Sequence, residues 1–265
     1  MLIAQLSDPH VCEEAILYKG LVDSNAMLAA AVRHLTTLLP EPDVVILTGD
    51  VTENGTPEEY ANGRRLLAQI KQPLIVIPGN HDDREEFRAG FADMDYLPKA
   101  GPMNFAVSDF GAVRIIALDV TVPGAHHGEI NDAAIAWLAS CLAQEPDRPT
   151  ILMLHQPPFL SGIPYLDQYR CFGAEQLEGL LQNHSNVELI VCGHVHRFMM
   201  RHFAGTLICT APSTTTSIAL RLAADAKPAS YVEPPALLLH CWQSDTGLTT
   251  HLVPIGQFPG PYDFF

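Results

Sequence analysis

Five short apolar runs constrain this chain more than any other feature, because each stops abruptly on polar donor residues. Leu2–Leu6 runs into Ser7-Asp8-Pro9-His10, Val44–Thr48 into Gly49-Asp50, and Leu74–Ile77 into Pro78-Gly79-Asn80-His81-Asp82-Asp83. Residues 150–154 end at His155, and Val187–Cys192 ends at Gly193-His194-Val195-His196. Aliphatic runs without polar alternation are the mark of strands buried on both faces. Helical spacing lies between them. Met27, Leu28, Ala31, Val32, Leu35, Leu38 and Leu39 recur at helical period behind an Asp23 or Ser24 cap, and Pro40 closes the pattern. Thr56-Pro57-Glu58-Glu59 reads as a capping box opening a helix to about residue 70. Asn131 caps a segment carrying Ile135, Trp137, Leu138 and Leu142, and a further helix is expected over 174–181. Alternation of the two periods predicts an α/β layered fold.

With 265 residues, 48% of them apolar, the chain can bury one large domain core or a domain with a small appendage. Its 15 Lys and Arg against 30 Asp and Glu leave a formal charge of −15, which repels a polyanion at long range. Polymeric nucleic acid is thereby excluded as a partner. A small anionic substrate is not, since bound divalent cations invert the field locally. Residues 1–8 enter a strand and a candidate site at once, with no cationic segment followed by a long apolar one, and no apolar run is long enough to cross a bilayer. The expectation is a cytoplasmic protein without a membrane partner. The six cysteines lack Cys-x-x-Cys spacing, so they read as small buried hydrophobes rather than as a zinc knuckle.

Alone, each polar strand end is most simply a turn. Together they are harder to dismiss. In open α/β sheets ligands gather at the carboxyl ends of strands, where groups distant in sequence converge. Asp8 and His10 are two residues apart, so in an extended segment both side chains leave one face and can chelate one cation. Asp50 follows a wholly apolar run and needs a partner, for which a cation is the natural choice. Asn80 beside His81 is a poor core pair and a good rim pair. Mixed carboxylate, amide and imidazole donors suit Mn²⁺, Fe²⁺ or Zn²⁺ rather than Ca²⁺. A strand over 113–118 ends at Asp119, and a glycine-flanked loop carries His126 and His127, which either touch a ligand or are solvated.

The ordered series Asp8-Pro9-His10, Gly49-Asp50, Gly79-Asn80-His81-Asp82, His155 and Gly193-His194-Val195-His196 resembles the signature of the calcineurin-like metallophosphoesterase superfamily over about residues 1–200. Residues 17–25, Pro57-Glu58-Glu59-Tyr60 and the Asp82-Asp83 pair are most similar to the class III cyclic-nucleotide phosphodiesterases and bacterial glycerophosphodiesterases within it. Pro9 and Gln156, the latter where a second histidine is frequent, depart from the pattern.

The resemblance implies a four-layer αββα sandwich, two mixed β-sheets flanked by helices, with a dinuclear centre. One metal would be held by Asp8, His10, Asp50 and His196, the other by Asp50, Asn80, His155 and His194. A hydroxide shared by the two divalent cations would hydrolyse a small phosphodiester, a glycerophosphodiester or a cyclic nucleotide. His81 would stabilise the phosphoryl charge or protonate the leaving alkoxide, with Asn80, His81 and His126 touching substrate. A phosphomonoesterase on the same site, or a scaffold without turnover, are the competing readings. A single domain over 1–265 is expected, with about 200–245 forming a small cap or oligomer contact in a homodimer or larger homo-oligomer. Strands over Thr206–Thr210, 236–241 and 248–253 are expected to complete a second sheet. Residues 213–216 are candidates for the substrate loop, and the aromatic tail 258–265 is expected to pack on a neighbour.

Overall fold

The aliphatic runs form the centres of two sheets in the computed structural model, which describes residues 1–264. In chain order the first elements are β1 (Leu2–Leu6), α1 (Ser24–Leu35), β2 (Val44–Thr48), α2 (Pro57–Leu67), β3 (Leu74–Ile77) and α3 (Arg84–Gly90). There follow β4 (Phe105–Val107), β5 (Arg114–Ala117), β6 (Gly128–Glu129), α4 (Asp132–Gln144), β7 (Thr150–Met153), α5 (Pro164–Asp167), β8 (Cys171–Phe172), α6 (Ala174–Leu181) and β9 (Val187–Cys192). The chain continues through β10 (Met199–Phe203), β11 (Thr206–Thr210), β12 (Ser217–Ile218), β13 (Ser230–Tyr231), β14 (Ala236–Gln243) and β15 (Gly247–Pro254).

One sheet has the order β15-β14-β1-β2-β3 and the other β10-β11-β9-β7-β5-β4. Both are mixed: β1, β2 and β3 run parallel, as do β5, β7, β9 and β11, with antiparallel strands at the edges. Alternate residues of the second sheet serve different layers, as a period of two requires. Ile115, Ile151, Met153, Leu189 and Val191 join the core shared with Ile3, Val45 and Ile75 of the first sheet. Ile116, Leu152, Ile190 and Ile208 instead pack under Leu138 and Leu142 of α4 and Leu177 and Leu181 of α6. Helices α1 and α2 cover the outer face of the first sheet, giving the four layers.

Local signals set the helix ends. Asp23 caps α1 through Ala26 N, and Thr56 with Glu59 forms the capping box of α2. The apolar pattern to Leu39 overruns α1, because the Thr36 and Thr37 hydroxyls donate back to the Arg33 and His34 carbonyls and close the helix. The expectation that the C-terminal strands all complete a second sheet holds for β11 only. Strands β14 and β15 pair antiparallel onto β1 and widen the first sheet. The described part of the aromatic tail lies at the surface, with Phe258, Tyr262 and Phe264 exposed by 58%, 78% and 95%. Phe265 lies outside the described residues. The cysteines are free, and five of the six are buried. Among the described residues no helix is long and apolar enough to cross a membrane.

Candidate metal centre

The carboxyl ends of β1, β2, β3, β7 and β9 meet where the two sheets face one another, and the chain turns there under strain. Asp8, His10, Asp50, His194 and His196 all have positive φ, between 43° and 68°. They make up five of the eight such non-glycine residues among those described. That backbone region is unfavourable for L-residues and persists where the surroundings over-determine it. Two glycines make the convergence possible. A Cβ on Gly79 would stand 2.2 Å from Asp50 Oδ1, and one on Gly193 would stand 2.4 Å from Ser7 Oγ and 2.7 Å from Asp8 Oδ2.

Two groups of donors result, each with its ligand atoms within 4.8 Å of one another: Asp8, His10, Asp50 and His196, and Asp50, His155 and His194. Asp50 belongs to both. Its Oδ2 lies 3.6 Å from His10 Nε2, while its Oδ1 lies 3.2 Å from His155 Nε2 and accepts the His81 amide at 2.9 Å. Asn80 joins the second group, with Oδ1 3.2 Å from His155 Nε2.

The hydrogen bonds around the rim decide which ring nitrogens face inward. His10 Nδ1 donates to Glu53 Oε2 at 2.8 Å, His155 Nδ1 to the Thr48 carbonyl at 2.7 Å, and His196 Nδ1 to the Thr216 carbonyl at 2.9 Å. These acceptors have no proton to give, so in each neutral ring Nε2 carries a lone pair aimed at the centre. His10 Nε2 and His196 Nε2 then confront each other at 3.0 Å, and His155 Nε2 confronts the Asn80 oxygen. His194 Nε2 is buried with no protein partner. Converging lone pairs and an orphaned buried nitrogen fit cations, and His194 Nε2 has no protein partner to take their place.

The charges agree. Burial pushes the Asp50 carboxyl up, but the imidazoles of His155 and His81 outweigh it and hold it well below the usual range. Asp8 is lowered in the same way, burial opposing and His196 prevailing. Burial acts to depress His155, yet Asp50 lifts it to about 9, and His196 is raised against burial by Asp8. His194 is pushed down to about 3 by burial and by the charge of His155. Two ionised carboxylates among these rings demand compensating positive charge, which protons on His155 and His196 or bound cations supply.

His81 lies at the edge of the group, its Nδ1 donating to the Glu53 carbonyl at 2.8 Å and its other nitrogen free of that bond. It lines a cavity of about 410 Å³ with Asn80, His126, Tyr165 and Tyr169. His126, itself exposed, has Nδ1 3.2 Å from Asn80 Nδ2, whereas His127 is half-buried and rests on Phe172. Gln156 reaches from beside His155 to the His126 carbonyl at 3.2 Å and so holds that loop. Residues 213–216 are buried and brace the centre from behind. Ser213 Oγ donates to the Asp8 carbonyl at 2.7 Å, and Thr214 N donates to the Ser7 carbonyl. Of these, only Thr216 reaches the cavity wall. Asp119 is structural, paired with Arg84 at 2.9 Å and capping Met103 N.

Two functional positions escaped the sequence reading. Glu53 fixes His10, takes the Lys19 ammonium at 2.5 Å and lies 3.4 Å from His81 Nδ1. Asp82 accepts from Val51 N, Thr52 N, Gly79 N and the Tyr60 hydroxyl, tying the end of β2 to the end of β3. The first carried no signal in the sequence, since its role depends on His10 and Lys19, both distant along the chain. The second stood inside the Gly79-to-Asp82 motif with no distinguishing mark.

Residues 1–198 match the family model for calcineurin-like phosphoesterases. A probable glycerophosphodiester phosphodiesterase of Arcobacter nitrofigilis is 37% identical over 100% of this chain and 97% of its own length. A glycerophosphodiester phosphodiesterase of Enterobacter lignolyticus is 33% identical over 91% of this chain and 86% of its own. The Escherichia coli 3',5'-cyclic adenosine monophosphate phosphodiesterase is 28% identical over 80% and 75%. In fold the chain is similar to a dimetal phosphatase from Danio rerio, at a TM-score of 0.68 and 12% identity, covering 97% of this chain and 99% of that one.

Proposed function

The chain belongs to the calcineurin-like phosphoesterase family of metal-dependent enzymes, and from that premise we propose that it hydrolyses small phosphodiesters, glycerophosphodiesters foremost. The observation that carries the reading is Asp50, shared by two donor groups whose lone pairs converge beside a cavity large enough for a small diester. Asp8, His10, Asp50 and His196 would hold one divalent cation, and Asp50, Asn80, His155 and His194 the other. Mn²⁺, Fe²⁺ and Zn²⁺ all suit these donors. Such a pair, when bound, supplies Lewis acidity toward the phosphoryl oxygens and lowers the pKa of water toward neutrality.

The protein's own residues do the rest. Glu53 orients His10 and, through its carbonyl, His81. A proton carried on the other ring nitrogen of His81 would serve the cavity, neutralising a phosphoryl oxygen and passing to the departing alkoxide as the P–O bond breaks. Asn80 and His126 form the adjoining wall for substrate.

Cyclic nucleotides are the second reading. His126, Tyr169 and Tyr165 follow one another edge to face, with centroids 5.5 and 5.4 Å apart, along a wall against which a base can stack. We read residues 1–265 as one domain, in which Pro228, Ala229 and Ser230 reach the cavity mouth and make 200–245 a partial cap. Exposed Leu220, Leu222, Tyr231 and Val232 on that segment support a homo-oligomer.

A substrate panel on Mn²⁺-reconstituted protein tests the assignment. Glycerophosphoethanolamine and bis(p-nitrophenyl) phosphate should turn over faster than p-nitrophenyl phosphate. Preference for the monoester makes the protein a phosphomonoesterase, and background rates on all three make it an inert scaffold. A higher kcat/KM for cyclic AMP than for the glycerophosphodiester would reverse the order of the two diester readings.

A further inference from the structure

Far behind the cavity, a buried file of polar side chains crosses the first sheet and ends on Asp8. His240 on β14 faces Gln5 on β1, with His240 Nε2 3.0 Å from Gln5 Oε1. Gln5 Nε2 lies 3.0 Å from Thr48 Oγ1, Thr48 Oγ1 2.7 Å from Ser7 Oγ, and Ser7 Oγ 2.5 Å from Asp8 Oδ2. Gln5, Ser7, Thr48 and His240 are all 0% exposed.

We propose that His240 is a positioning residue for the metal centre, anchoring Gln5 and through it the hydrogen-bond chain of Thr48 and Ser7 that terminates on Asp8. The direction is determined at both ends. Gln5 Nε2 also lies 3.1 Å from the Cys192 carbonyl, which can only accept, so the amide oxygen must be the atom turned to His240. His240 must therefore carry its proton on Nε2, and its bare Nδ1 accepts from the Thr250 hydroxyl at 2.8 Å. At the other end the Asp8 carboxylate only accepts, so Ser7 donates to it, Thr48 donates to Ser7, and Gln5 donates to Thr48. Every bond points toward Asp8. Chains of this kind polarise one another in a buried setting.

The consequence falls on the two Asp8 oxygens. Oδ2 takes the Ser7 hydroxyl, the His194 amide is shared between Oδ1 at 2.9 Å and Oδ2 at 3.1 Å, and Oδ1, 3.4 Å from His196 Nε2, is the oxygen turned to the donor group. Removing the His240 donor would orphan the buried Gln5 oxygen and free the amide to shift off the Cys192 carbonyl and Thr48, loosening the donor that Thr48 presents to Ser7. Burial holds the His240 ring down to about 3, so it is neutral over the working range. None of this file lines the cavity, so His240 acts on the centre from behind, through Ser7 on Asp8 and through Thr48, whose carbonyl accepts from His155 Nδ1.

The inference rests on Asp8 being a metal ligand, and two measurements test it. Long-range ¹H–¹⁵N NMR on the wild-type protein should show His240 as the Nε2–H tautomer, and the Nδ1–H tautomer overturns the proposal without any variant. Mn²⁺ titration of metal-free protein, followed by electron paramagnetic resonance, should find affinity about tenfold weaker in Ser7→Ala and about threefold weaker in His240→Leu, by the usual size of outer-shell effects. His240→Gln, whose amide can still donate to Gln5, should return close to wild type even where its Tm does not. Equal Mn²⁺ affinity in His240→Leu and wild type, or no rescue by His240→Gln, overturns the inference. Should His240→Leu fail to fold, Gln5→Met is read instead: it cuts the link between His240 and Thr48, so weaker Mn²⁺ binding than wild type supports the chain and wild-type binding overturns it. Wild-type protein that binds no Mn²⁺ overturns the metal-centre reading itself, a result distinct from both.

Discussion

Asp50 lies between two sets of imidazoles and also receives the His81 amide, so three parts of the site depend on one carboxylate. Asp50→Ala should therefore remove both metals rather than one, and elemental analysis that finds either retained at full occupancy contradicts a shared ligand. His81 is the opposite case. It lines the cavity without belonging to either group that includes Asp50, so His81→Ala should keep the metal content while lowering kcat about 10²-fold or more, as for loss of a general acid. The loss should grow with the pKa of the leaving alcohol. A flat dependence would leave His81 with charge stabilisation only.

At the scale of elements, the strand ends matter more than the strands. Gly193 follows β9 and lies against Ser7 and Asp8, both behind β1 in the other sheet, so the two sheets touch through a position with no side chain. Gly193→Ala should lower stability by about 1–3 kcal/mol, as overpacking does, and weaken metal binding together with it. Thermal unfolding and metal content would show this, and an unchanged metal content would mean that the turn yields without disturbing Asp8. The helices carry no comparable burden. Their caps and apolar stripes hold the outer layers, and their ends follow from local hydrogen bonds such as those of Thr36 and Thr37.

Across the whole molecule, the polar groups buried between β1 and β14 couple folding to pH. His240 has a folded pKa of about 3 against an ordinary 6.5, because burial penalises its charged form. As pH falls through 6.5 the unfolded chain takes up this proton first, so the native state loses stability down to about pH 3 and no further below it. Each unit within that window costs up to about 1.4 kcal/mol. Denaturant unfolding of metal-free protein should show a shallower acid slope in His240→Gln than in wild type. Identical slopes would place the acid sensitivity elsewhere.

The polypeptide by itself determined the central strands, the α/β alternation and the candidate residues Asp8, His10, Asp50, Asn80, His155, His194 and His196, because apolar period and strand-end chemistry are local properties, whereas short edge strands such as β4 and β10 left no such mark. Pairing is not local. That residues 236–241 lie against β1 instead of extending the second sheet depends on an edge that exists only after folding. Glu53, Asp82 and His240 stayed invisible for the same reason, since a carboxylate or imidazole is marked as functional by what surrounds it and not by its neighbours in sequence. The tertiary structure alone decided which ring nitrogens face inward and which backbones take positive φ, because both are imposed by partners far along the chain.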